Sequence, residues 1–80
     1  MLESLKDVNK AVGVKQTVKA IENGSAKVVF IAKDAEDRVV GKVIGLCKKD
    51  SIEIKYVDTM KMLGKACNID VGAAVACTLE

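Results

Sequence analysis

The sequence contains no histidine, proline or tryptophan, and its only aromatic side chains are Phe30 and Tyr56. Without histidine, no side chain has a usual pKa near neutrality, so acid–base catalysis by imidazole is excluded. No Ser or Cys lies in a nucleophile-elbow motif, and the 6 glycines form no phosphate-binding fingerprint. We therefore predict that the chain has no catalytic residues and is not an enzyme, with a core of Val, Ile, Leu, Ala and Met.

Cysteine is also scarce, with only Cys47, Cys67 and Cys77, and no two of them form a CxxC pair. A structural zinc site needs four ligands, which are usually Cys or His, so we predict no metal and no cofactor. Each cysteine falls on an apolar face of a predicted element, which favours buried, reduced thiols and a reducing compartment. No segment approaches the roughly 20 apolar residues of a membrane span, and the charged start is unlike a signal peptide. We expect a soluble cytoplasmic protein with no membrane partner.

Length and composition indicate one small globular domain over residues 1–80, without a linker, repeat or low-complexity segment. Hydrophobic residues make up 50% of the chain and charged residues 30%, which is typical of a folded chain. The net charge of +2 is too small to indicate a nucleic-acid partner by itself. The positions of the basic residues therefore matter more than their number.

Hydrophobic periodicity predicts a first helix over residues 2–10 and a second over 14–23. The continuous apolar run at 27–32 predicts a strand that is covered on both faces, as in a parallel sheet between helices. Asp34 is predicted to cap a third helix, with Asp37 three residues later in a box-like arrangement. This third helix is predicted to end at 48–50. The elements predicted after it are a strand at 52–56, a fourth helix from 58 or 59 to 68, a loop at 69–73 and a strand at 75–79.

The alternation of helices and strands predicts an α/β fold, a three-layer α/β/α sandwich. One side of each predicted helix carries apolar residues that should face the sheet. The predicted core-facing helical residues are Val14, Val18, Ile21, Val40, Val43, Ile44, Cys47, Met60, Leu63 and Cys67.

The start of the second predicted helix presents Lys15, Gln16 and Lys19 away from its apolar stripe. Free backbone N–H groups and the positive end of the helix dipole favour anions there, including phosphates. Lys and Gln can both donate hydrogen bonds to base edges. The segment could form an RNA-reading surface, although an ordinary solvated helix face is favoured from this segment alone.

A second candidate follows the fourth predicted helix, whose outer face carries Lys61 and Lys65. The next loop contains Ile69 and Val71, and an apolar loop tip can pack against an unstacked base or a partner protein. For Ile69, a loop folded onto the core is the favoured alternative. Lys33 is a third candidate because it follows the central strand at its carboxyl end, where open α/β sheets often bind ligands. Its alternative is a lysine that leaves the core at a strand end.

Three segments, GVKQTVKAI at 13–21, VVFIAKDAE at 28–36 and MLGKACNIDVGAA at 62–74, resemble the L-seven-Ae/L-thirty-e family of ribosomal proteins. The similarity is strongest to the short bacterial, YbxF-like branch and covers essentially the whole chain. It implies a sandwich with a small mixed four-stranded sheet, and hence a short extra strand near residues 11–12. Members of the family bind kink-turn RNA, a sharply bent duplex with tandem sheared G·A pairs.

The resemblance also implies how the RNA is bound. In archaeal and eukaryotic members, a segment like G-x-N-E-x-x-K begins the second helix and reads the guanines of the G·A pairs. Gly13 and Lys19 match that segment, whereas Lys15 stands in place of the usual Asn and Gln16 in place of the usual Glu. The RNA-binding residues implied by the resemblance are Gly13, Lys15, Gln16, Lys19, Lys33, Lys61, Lys65, Ile69 and Val71.

The family loop before the last strand often reads V-P or V-A and packs against unstacked nucleotides. Val71 matches this pattern, and Gly72 replaces the frequent Pro, which predicts a more mobile loop in the free protein. Lys33, Lys61 and Lys65 match positions near the RNA backbone that are basic or polar in the family.

The implied partner is a kink-turn RNA, such as ribosomal RNA or a riboswitch, and the implied protein is a monomeric bacterial ribosomal or ribonucleoprotein component. Two alternatives are open. One is a protein-interaction module of the same fold that uses the loop at 69–73. The other is a detached RNA-recognition domain of an RNA-modifying enzyme, which predicts a co-purifying catalytic chain.

Overall fold

The structure is a computed structural model that describes residues 8–79. Most of the helix predicted at 2–10 lies outside these residues. Its described end is not helical, because Lys10 already begins a strand, so the prediction is wrong for residues 8–10. The elements are β1 (Lys10–Val12), α1 (Val14–Glu22), β2 (Ala26–Ala32), α2 (Asp37–Lys49), β3 (Glu53–Val57), α3 (Met60–Ala66) and β4 (Val75–Leu79).

The four strands form one mixed sheet in the order β1-β4-β2-β3. β2 and β3 are parallel, whereas β4 runs antiparallel to both of its neighbours, β1 and β2. The small mixed four-stranded sheet and the short strand near residues 11–12 are therefore confirmed. Local periodicity missed this strand, because its three residues are extended by pairing with β4, far away in the sequence.

Helices cover both faces of the sheet, which confirms the three-layer α/β/α sandwich. β2 is central, and its alternating residues Val29 and Phe30 are both buried although they point to opposite faces. α1 and α2 pack against each other on the face of Val29, where Thr17 of α1 lies beside Cys77 of β4. α3 lies on the opposite face, so its C-cap residue Cys67 is near Lys10.

Most of the predicted core positions are buried, including Ile21, Val43 and Leu63. Val14, Val18 and Ile44 are half-buried and pack against the core. Met60 was predicted to face the core but is exposed, because it lies in the first turn of α3 at the edge of the sheet. None of the helices among residues 8–79 has the length and apolarity needed to cross a membrane.

One edge of the sheet, here called the site edge, is formed by the ends of β1, β2 and β3 and the start of β4. Its register pairs are Val12 with Ala76, Ile31 with Val75, and Ala32 with Val57. α1, α2 and α3 all begin at the site edge, because each follows a strand that ends there. The loop at 69–73 returns the chain to the same edge before β4.

Asp34 does not cap the helix that was predicted for it. α2 begins at Asp37, and its N-cap residue Glu36 makes no side-chain capping bond. The Asp34 carboxylate instead accepts a hydrogen bond of 2.8 Å from the backbone N–H of Met60. The turn after β2 brings Asp34 to the start of α3, since both lie at the site edge. Thr59 is the N-cap of α3. This agrees with the second of the two predicted helix starts, residues 58 and 59.

Candidate nucleic-acid interface

Gly13 joins the start of α1 to the first residue of β4. Its φ of 99° is a backbone conformation that favours glycine. In this conformation the Gly13 N–H donates a 2.8 Å hydrogen bond to the carbonyl oxygen of Val75, and the Gly13 carbonyl accepts one of 3.0 Å from Thr17. Because Val75 follows the loop at 69–73, this bond places the start of α1 beside the end of that loop.

α1 turns Lys15, Gln16 and Lys19 to solvent, as predicted, while Thr17 and Ile21 are buried beneath it. The first turn contains no acidic residue, and no side chain caps its free N–H groups. The partial positive charge of this helix start is therefore not neutralised within α1. An anion can approach it beside the ammonium group of Lys15 and the amide of Gln16, whereas Lys19 was predicted at the helix start but lies in the last turn of this short helix, on the same exposed face.

The loop at 69–73 and the outer face of α3 form one open concavity of about 200 Å³. Lys61, Lys65, Ile69 and Val71 lie together along its wall, so four of the nine predicted residues share this surface. Val71 is 69% exposed, whereas Ile69 is half-buried and packs against the core. Ile69 therefore has mainly the structural role favoured from the sequence, and Val71 is the apolar contact surface of the loop.

The loop is attached to α3 along its length. The N–H of Ile69 donates to the Gly64 carbonyl at 3.1 Å, and the N–H of Ala73 donates to the Met60 carbonyl at 3.0 Å. Gly64 is required by close packing, because a Cβ there would overlap with the carbonyl oxygen of Val71. These contacts hold the loop in place, and the added mobility expected from Gly72 remains a prediction.

Lys33 lies at the site edge, directly after β2. Its Nζ is 3.4 Å from Oδ1 of Asp58, which follows β3 at the same edge. The two side chains are 60% and 73% exposed, so solvent screens the pair and it contributes little to stability. Lys33 therefore has a local partner but is accessible to an incoming phosphate. It does not line the concavity of α3.

Sequence reasoning missed the exposure of two apolar side chains of α3, Met60 and Met62, which are 36% and 45% exposed. Met62 lies outside the buried set of Leu63 and Cys67, so its position could have been read from the helical spacing. The position of Met60 could not, because its exposure depends on where α3 sits on the sheet. Asp70 also lines the concavity and places one negative charge there.

Residues 2–80 match the ribosomal protein L7Ae/L30e/S12e/Gadd45 family. The chain is 54% identical over 67 residues to an RNA-binding protein of Caldanaerobacter subterraneus, covering 84% of this chain and 82% of the relative. It is 59% identical over 63 residues to an RNA-binding protein of Halalkalibacterium halodurans, covering 79% and 77%. It is 41% identical over 69 residues to the RNA-binding protein YbxF of Geobacillus stearothermophilus, covering 86% and 84%.

Two solved structures have the same fold. A protein of unknown function from Bacillus halodurans superposes with a TM-score of 0.88 at 26% identity, over 99% of this chain and 83% of that one. The 15.5kD RNA binding protein of Giardia lamblia superposes with a TM-score of 0.85 at 26% identity, over 99% of this chain and 65% of that one.

The family resemblance suggested by the three sequence segments is thus confirmed, and it extends over residues 2–80. The prediction that the chain is not an enzyme is also confirmed, because the chain matches a ribosomal protein family and these curated relatives are RNA-binding proteins. Because that match spans residues 2–80 and the curated relatives are 41% to 59% identical, the chain belongs to the ribosomal protein L7Ae/L30e/S12e/Gadd45 family.

Proposed function

We propose that this protein binds RNA that contains a kink-turn, and that the RNA lies across the site edge. The hydrogen bond from Gly13 to Val75 carries the proposal, because it places the start of α1 beside the loop at 69–73. An uncapped helix start with an exposed lysine and an apolar loop tip flanked by the lysines of α3 then form one surface. Relatives described as RNA-binding proteins support the same partner class.

Affinity comes mainly from phosphates that the sharp bend crowds together. Lys33, Lys61 and Lys65 are exposed and supply positive charge around the site edge, along with the start of α1. Contacts of this kind position the RNA but carry no sequence information. The proposed binding therefore weakens as the salt concentration rises.

Selectivity comes from the exposed face of α1 and from the loop. Lys15, Gln16 and Lys19 donate to the base edges of the G·A pairs in a groove widened by the bend. Val71, which is 69% exposed, packs on an unstacked nucleotide, with Ile69 supporting the loop beneath it. Because these contacts exist only with the bent RNA, binding selects that conformer from a bent–extended equilibrium.

The proposal includes a single domain over residues 1–80, a monomeric state and a cytoplasmic location, with ribosomal RNA or a riboswitch as the target. Exposure of Val71 favours one second candidate, a protein-binding surface on the same loop. That candidate predicts no preference for kink-turn RNA. A recognition domain detached from an RNA-modifying enzyme predicts the same RNA affinity but a co-purifying catalytic chain.

The decisive experiment compares two RNA hairpins in a mobility-shift titration at fixed salt. One hairpin contains a kink-turn, and in the other Watson–Crick pairs replace the sheared G·A pairs. We expect tighter binding to the kink-turn hairpin, together with bending detected by energy transfer between dyes on its two ends. Equal affinity for the two hairpins would contradict the proposed function.

A further inference from the structure

The outer face of α2 carries basic side chains and no acidic one between residues 38 and 49. Arg38, Lys42 and Lys49 are all exposed and are spaced by four and seven residues, so they share one narrow sector of the helix. Gly45 lies in the same sector and leaves open space above the backbone. We call Arg38, Lys42 and Lys49 the α2 stripe.

The α2 stripe is available to an external anion. Lys42 and Lys49 make no ion pair or side-chain hydrogen bond with any residue of the described part of the chain. Arg38 pairs with Glu36 at 2.8 Å, but the two side chains are 86% and 65% exposed. Such a pair is weak in solvent, so the Arg38 guanidinium can leave Glu36 and bind an external anion. Among the described residues, the fold therefore leaves Lys42 and Lys49 uncompensated and Arg38 only weakly paired.

The position of α2 connects this stripe with the proposed RNA site. α2 packs beside α1 on the same face of the sheet, and both helices begin at the site edge. At 1.5 Å per residue, the α2 stripe extends for about 16 Å along the helix, away from that edge. An RNA held at the start of α1 can thus continue over α2, beyond the residues assigned above.

We propose that the α2 stripe binds the phosphate backbone of an RNA stem that leaves the kink-turn, an extension that rests on the proposed function. Lys is depleted in protein–protein interfaces, whereas aromatic residues are enriched there. The α2 stripe contains no aromatic residue, and Val39, at 37% exposure, is the only large apolar side chain of α2 that is exposed. Its charge and flat surface at Gly45 therefore favour phosphates over a protein partner.

The test measures affinity against salt concentration for two RNAs that share a kink-turn but differ in stem length. The variant is Lys42→Gln/Lys49→Gln, and the charge-matched control is Lys27→Gln/Lys55→Gln. Lys27 and Lys55 lie beside Phe30, on the face of the sheet opposite α2. We expect the variant to lower the slope of log affinity against log salt by about 2 on the long-stem RNA, about 1 per phosphate contact. The short-stem RNA and the control variant should show the wild-type slope.

The outcomes separate this inference from the proposed function. If the variant binds the long-stem kink-turn RNA with the wild-type slope, the α2 inference is overturned and the proposed function stands; an acidic protein partner for α2 would give this result. If the wild type does not prefer kink-turn RNA over a straight duplex, the proposed function fails. The α2 stripe is then supported only if the variant lowers the slope on the straight duplex, and it is overturned if that slope is unchanged or no RNA binds.

Discussion

Lys19 is the residue through which α1 is proposed to read a base pair. It is exposed one turn beyond Lys15, and it has no ion pair within residues 8–79. Its position on the exposed face could be predicted from helical spacing alone. That the start of its helix lies beside the end of the loop at 69–73 could not, because this depends on the pairing of β1 with β4 and on the bond from Gly13 to Val75.

Replacement of Lys19 by alanine should weaken binding to kink-turn RNA by about 1–3 kcal/mol, the scale of a lost base-edge contact. Alanine is a strong helix former, so α1 should be retained. A mobility-shift titration measures the affinity, and the control is the same substitution at Lys27, outside the proposed site. Unchanged affinity would remove Lys19 from base recognition.

Thr17 is a buried polar residue under the proposed reading helix, with an exposed fraction of 0%. Its hydroxyl lies beside the Cys77 thiol but makes no hydrogen bond of normal geometry. A buried hydroxyl without a good partner loses its hydration and gains little in return. The helical spacing had pointed to Val14 and Val18, so the deep burial of Thr17 is a result of how α1 lies on the sheet.

Replacement of Thr17 by valine should raise the free energy of unfolding by about 1 kcal/mol, because it removes the unsatisfied hydroxyl and keeps the shape of the side chain. Urea denaturation followed by circular dichroism measures this change. The control Thr17→Ser keeps the hydroxyl and loses the methyl group, and it should lower the stability. A valine variant that is less stable than the wild type would show that the hydroxyl is well bonded.

At the scale of elements, α3 and the loop at 69–73 form one unit. Backbone hydrogen bonds join the loop to Gly64 and Met60, and the Asp34 carboxylate caps the start of α3. Each contact joins residues that a local pattern treats separately. The sequence therefore predicted the helix and the loop, but not that the loop rests on the helix.

The helical glycines Gly64 and Gly41 should respond in opposite ways to replacement by alanine. A methyl group at Gly64 overlaps with the Val71 carbonyl, so Gly64→Ala should lower the free energy of unfolding by about 1–3 kcal/mol. Gly41 has open space around it, so Gly41→Ala should raise it by about 1 kcal/mol through helix propensity. Thermal unfolding measures both. Equal changes in the two variants would contradict the close packing of the loop on α3.

The methyl group of Gly64→Ala should push the loop at 69–73 away from α3, and this shift also tests the proposed site. If the loop contributes to RNA binding, Gly64→Ala should also weaken kink-turn affinity at a temperature where the variant is folded, while Gly41→Ala should not. Wild-type affinity in a folded Gly64→Ala variant would show that the position of the loop does not matter for the RNA.

At the scale of the whole molecule, the three cysteines report on the integrity of both sheet faces. Cys47 and Cys77 are buried on the face of α1 and α2, and Cys67 is buried on the face of α3. Burial raises the pKa of all three thiols above their ordinary value of 9.0, since a thiolate would lose its hydration. The proximity of Cys77 raises the pKa of Cys47 further.

These raised pKa values predict that stability falls in alkaline solution. Well below their ordinary pKa of 9.0, the thiols are protonated in both the folded and the unfolded chain. As the pH rises through that value, the unfolded chain loses these protons first, so the free energy of unfolding decreases. Urea titrations between about pH 8 and about pH 10.5 bracket the ordinary thiol pKa and can follow this decrease. A Cys77→Ala variant should show a shallower decrease, and an identical pH profile would contradict the role of this thiol.

The sequence by itself determined the amphipathic helices, the buried β2 strand, the apolar composition of the core and the lack of imidazole chemistry, since these follow from local spacing and residue type. Only the tertiary structure decided the pairing of β1 with β4, the capping of α3 by Asp34, and the hydrogen bond between Gly13 and Val75. These contacts join residues far apart in the chain, and their geometry depends on how the helices pack on the sheet. The proposed RNA surface exists because the sheet brings the start of α1 and the loop before β4 to one edge.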